Sequence, residues 1–231
     1  MDSVASPTAG VMTAAQSTTR PADAAQPRRI RWIIATLVVF GVIPVALGVA
    51  HLATVLAGMD VSAKALYFLA APVPIALHVL GAAIYVLLGP LQFSPALRRQ
   101  APRWHRMAGR LLVVSGLAVG LSALWMTLTL PHQAGGGDLL FAARLVFGSA
   151  MIGAIGYGFW AIRQGEVSTH RRWMTRAYAI GLGAGTQIPV LMVAEIIAGH
   201  PSDLTRAVLM GGSWVINVAI AEWALRRRRA R

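Results

Sequence analysis

Two short runs hold the side chains with the most evident chemistry: His105-Arg106 followed by Arg110, and His170-Arg171-Arg172 followed by Arg176. Both open an apolar stretch, so both fall at a helix start, where backbone N–H groups lack intrahelical partners and favour an anion. Guanidinium forks add planar donors that fit phosphate or carboxylate. Two such starts side by side would make a cationic His/Arg pocket. The plainer reading is that these arginines anchor topology and touch lipid headgroups. A cation at a helix start opposes the macrodipole, so Arg110 and Arg176, each about one turn inside its apolar run, require an anionic partner. Glu222 is the acidic residue at matching depth, and we expect it to pair with at least one of them.

A second group lies deep in apolar sequence: His78, Gln187 and Asn217, with Thr186 and Met151 at similar depth. Ionisable groups there are costly and mark candidate sites. His78 reads either as a ligand-binding residue or as a hydrogen-bonding partner between helices, while Asn217 and Gln187 read as the latter. Toward the opposite face lie His51, Arg144 and Glu195, and an Arg144–Glu195 pair would neutralise both charges.

These residues leave several functions open. A b-type haem electron carrier needs axial ligands at equal depth on facing helices. His51 and His78 are mismatched by roughly 12 Å at about 1.5 Å per residue. His78 with Met151, and His105 with His170, remain as weak haem candidates; haem is the one cofactor left open, and none is fixed. A transporter would use the midplane polar groups and proline-broken helices, but few charges lie within the spans and the repeat symmetry is faint. An assembly factor would use the His/Arg face to hold headgroups or a protein. The chain has no cysteine, which removes disulfides, thiolate metal sites and cysteine nucleophiles. There is no HExxH helix, and no serine stands beside both a base and an orienting acid. No metal site is expected, and hydrolysis is the least supported chemistry.

The elements that must position these groups are six apolar stretches, at 31–56, 65–89, 107–130, 139–162, 172–198 and 207–226. Each reaches or exceeds the ~20 residues needed to cross the hydrocarbon core as a helix. With 56% hydrophobic and only 13% charged residues among 231, the chain is too apolar for a soluble domain. The net charge of +13 comes from arginine blocks before the first stretch, between the second and third, between the fourth and fifth, and after the sixth. The alternate loops carry only Lys64 and Arg206. That alternation is the positive-inside rule, which places both termini in the cytoplasm and outweighs any nucleic-acid reading. Trp32, Trp104, Trp160, Trp173 and Trp223 fall at the same predicted boundary.

We therefore expect an all-α integral membrane protein, a six-transmembrane helical bundle in the bacterial inner membrane. Residues 1–29, rich in Ala, Ser, Thr and Pro, read as a disordered cytoplasmic tail without a signal-peptide core. Residues 30–226 form the membrane domain, and the basic tail 227–231 attracts anionic headgroups. Pro44 and Pro189 are expected to interrupt the first and fifth spans, and Pro72 with Pro74 to disturb the second. Gly116 with Gly120, and Gly181 with Gly185, have the spacing for close helix packing. Residues 89–110 read as a segment along the cytoplasmic interface, opened by Gly89-Pro90, and 132–138 as a flexible outer loop.

The segments GPLQFSPALRRQAPRWHRMAGR, HRRWMTRAYA and SWVINVAIAEW, with His78 upstream, resemble the bacterial membrane proteins grouped as domain of unknown function 2306. The resemblance covers roughly residues 65–225. It implies a multi-spanning inner-membrane protein whose biochemical activity is not defined. By motif position the shared residues are His78, Gln92, Arg98, His105, Arg106, Gly109, Arg110, His170, Arg172, Trp173, Met174, Arg176, Asn217 and Glu222. Two departures stand out: Leu111 and Leu112 where the family often has a tyrosine, and Ile188 where it often has an arginine.

Overall fold

The computed structural model describes residues 22–59, 70–130 and 137–229. Residues 1–21 of the expected tail, 65–69 of the second span, 132–136 of the outer loop and the last two of the basic tail lie outside them. Among the described residues every regular element is a helix: α1 (Ala22–Leu56), α2 (Pro72–Gln92), α3 (Pro95–Gln100), α4 (Pro102–Thr129), α5 (Gly137–Arg163), α6 (Val167–Gly181), α7 (Gly183–Ala198) and α8 (Asp203–Arg229). Six of the segments they form are long and apolar enough to cross a membrane, with α6 and α7 together making one. The outward surface agrees with lipid as the solvent. Leu80, Ile196 and Ile197 are 64%, 80% and 79% exposed, a cost few soluble proteins bear so often.

Helix boundaries follow proline and cap chemistry. Pro72, Pro95 and Pro102 stand at the starts of α2, α3 and α4, where a missing N–H loses no bond. Pro74 is also within the first turn, so the two prolines open α2 rather than disturb a span. Ser94 caps α3 by accepting from the Leu97 N–H at 3.2 Å. Gly89-Pro90 does not open a loop, because α2 continues to Gln92 with Pro90 buried. The interface segment accordingly becomes the short α3 plus the first turns of α4. Residues 22–29, expected in the tail, already belong to α1.

Two proline expectations are corrected. Helix α1 runs unbroken through Pro44, and α7 runs through Pro189. The fifth span instead breaks at Leu182, between Gly181 and Gly183. The reason is crowding. A Cβ at Gly181 would fall 2.8 Å from Tyr85 Cε1, and one at Gly183 would fall 2.2 Å from Trp214 Nε1. Bulky rings press on both sides, and the chain turns where glycine lets them in.

Packing proceeds around a ring: α1 on α2, α2 on α4, α4 on α5, α5 on α6 and α8, α8 on α7, and α7 back on α1. The core gathers Tyr85 of α2, Leu112 and Val119 of α4, Met151, Ala154 and Ile155 of α5, and Ala177, Tyr178 and Ile180 of α6. Tyr85 and Tyr178 meet with centroids 5.7 Å apart, and Phe93 closes on Tyr178 edge-on at 5.4 Å. Both glycine pairs named from spacing are crossing points. Gly116 meets Tyr85 and Gly120 meets Ile152. A Cβ at Gly185 would lie 2.2 Å from the Phe40 carbonyl oxygen, so α1 and α7 touch backbone to backbone there.

Gly185→Ala should therefore push α1 off α7, at a cost on the order of 1–3 kcal/mol. Gly153→Ala, with nothing within 4 Å, should be silent. Thermal melts of the detergent-solubilised variants check this, and equal melting temperatures would show that α1 is not held at that crossing.

Candidate functional site

The deep polar groups are spent on holding helices together. His78 donates from Nδ1 to the Val119 carbonyl, with Ser122 Oγ also at 3.2 Å, tying α2 to α4. Asn217 Nδ2 donates to Thr186 Oγ1 at 3.0 Å, and Thr186 donates onward to the Gly183 carbonyl at 2.9 Å. Gln187 Nε2 donates to the Met210 carbonyl at 3.2 Å. Two of these bonds, from Asn217 and Gln187, join α7 to α8 just beyond the Leu182 break, and the Thr186 bond stays within α7. Met151, 3% exposed, lies in the core cluster near Gly181. On the opposite face, Glu195 meets Arg206 at 3.7 Å.

Both His/Arg runs come to the same end of the bundle. His105 falls on the first turn of α4 and His170 on the first turn of α6. His170 is oriented by donating from Nδ1 to the Gly158 carbonyl of α5 at 2.8 Å. The groups acting electrostatically on His105 are Arg98, His170 and Arg106, so the two histidines and two arginines share one neighbourhood. Arg106 and Arg110 are exposed, and so is Glu166 at the start of α6. Arg172 donates to Thr169 Oγ1 at 3.2 Å. Its Nε, like Gln92 Nε2, is buried with no acceptor among the described residues.

One turn further in lies the expected ion pair. Arg176 grips Glu222 with two bonds, Nε to Oε1 at 2.5 Å and Nη2 to Oε2 at 3.2 Å. Arg110 takes no part in that grip. The fork joins α6 to α8, with Arg226 a second positive neighbour of Glu222. Trp173 lies under the guanidinium, 4.6 Å from ring centroid to Cζ. The pair also forms part of the wall of a cleft of about 220 Å³ between α5, α6 and α8, with Phe147, Ala154, Ile180 and Val218 among its apolar sides. Sequence alone pointed to the pair through depth. The cleft was out of reach, because its walls come from three helices whose rotations no spacing fixes.

The family described as Predicted membrane protein (DUF2306) matches residues 75–225, from the second turn of α2 to near the end of α8. No curated protein and no solved structure matches the chain. The matched region holds every candidate residue and leaves out α1.

Glu222→Gln should strand the Arg176 charge and lower both folded yield and melting temperature, by about 1–3 kcal/mol for a partly exposed charged hydrogen bond. Adding Arg176→Gln should recover part of the loss. A melting temperature unchanged in the single variant would remove the pair from the account of stability.

Proposed function

The chain belongs to the DUF2306 family of predicted membrane proteins, and on that footing we propose a multi-pass bacterial inner-membrane protein, both termini cytoplasmic, whose His/Arg face binds anionic phosphate headgroups. One observation carries the reading: His105 stands among Arg98, Arg106 and His170, while the well-placed carboxylate of Glu222 is already committed to Arg176. Among the described residues none of these four groups forms an ion pair with a carboxylate. Support also comes from the unmatched donors Gln92 Nε2 and Arg172 Nε at the same end, since an unsatisfied buried donor costs roughly 1–3 kcal/mol until an acceptor arrives. Arginine alternation supports the orientation.

This reading is a binding role at the membrane surface, as for a component that organises lipid or assembles with other membrane proteins. Transport draws less support, because Gln187 and Asn217 already hold α7 to α8.

Two measurements test the proposal. A fluorescent protein fused after Arg231 should fluoresce, and a periplasm-dependent phosphatase at the same point should be inactive; the reverse pattern overturns the orientation. In lipid nanodiscs at low salt, the Arg98→Ala/Arg106→Ala variant should retain phosphatidylglycerol several-fold less than the parent by native mass spectrometry. High salt should erase that difference, and equal retention at low salt would overturn the headgroup site.

A further inference from the structure

We propose that the cleft between α5, α6 and α8 seats one acyl chain of a glycerophospholipid, whose ester carbonyl accepts a hydrogen bond from Arg176. The site is separate from the His105 neighbourhood and uses none of its residues.

Size decides the class of occupant. At about 220 Å³ the cleft falls below the roughly 300–1,000 Å³ of pockets for drug-sized ligands. It holds a length of chain rather than a fused ring system. Position decides the source. Val146 at the rim is 63% exposed, and Ala150 beside it is also exposed, on a helix long and apolar enough to cross the bilayer. The opening is therefore continuous with the hydrocarbon itself. An unfilled apolar volume there forfeits dispersion contacts, which a lipid tail restores.

Chemistry decides the polar end. A guanidinium has five N–H groups. Arg176 spends two of them on Glu222 and covers one face with Trp173. The rest have no acceptor among the described residues, yet they border an apolar wall that supplies none. The two charged residues in the wall, Arg176 and Glu222, balance each other. What remains to be recognised is an acceptor, not a negative charge. A glycerophospholipid joins such a carbonyl directly to a hydrocarbon tail. Binding should then be indifferent to headgroup charge, unlike the surface reading above.

The test uses the full chain in nanodiscs doped with a phospholipid carrying a diazirine midway along one acyl chain, with cross-links mapped after photolysis. Labels should concentrate on the α5 and α8 peptides holding Val146, Ala150 and Val218. They should exceed labels at Val114 and Leu121, on the exposed face of α4, by at least threefold. Ala150→Trp and Val218→Trp should each reduce the excess to background while elution and melting stay near the parent's. Exchange of phosphatidylcholine for phosphatidylglycerol discs, or addition of salt, should not change it. Equal labelling of α4, no loss in either filled variant, or displacement of the labelled lipid by an equimolar isoprenoid quinone would each overturn the proposal.

Discussion

Hydrocarbon gives no hydrogen bonds, and that single constraint explains where this protein keeps its polar side chains. The fifth span cannot stay a simple helix where Tyr85 and Trp214 press on Gly181 and Gly183, so it breaks at Leu182. Here Thr186 reaches back to the Gly183 carbonyl, Asn217 steadies Thr186, and Gln187 reaches the Met210 carbonyl. Each bond is modest, about 0.6 kcal/mol on average within membranes, but the alternative is a polar group with no partner. The bonds from Asn217 and Gln187 tie α7 to α8, and Gly185 lets α1 close the ring.

The same constraint sorts charge by depth. Arg176 and Glu222 lie where solvation is poor, and they neutralise each other in a two-bond fork. Arg98 and Arg106, nearer the end of the bundle, are exposed, and so is Arg110.

Much of this was legible in the chain because depth along a helix is a sequence property. The six spans, the two His/Arg helix starts and the Glu222 pairing all follow from counting residues inward from a boundary. What spacing could not give is rotation about each helix axis and the position of neighbours. That is why the Glu195–Arg206 contact and the wall of Phe147, Ile180 and Val218 went unseen. The prolines misled for a related reason. Pro189 costs one internal bond and α7 absorbs it, whereas the Leu182 break arises from rings on other helices that no local pattern reveals.

The order of synthesis gives the Arg176–Glu222 fork one more consequence. Its halves are 46 residues apart, with the arginine made first. Chains emerge from the ribosome beginning at the amino terminus, so α6 reaches the bilayer while its counter-charge is still being translated. A lone guanidinium costs least at an aqueous boundary, so α6 carries an unbalanced charge for as long as α8 is unmade.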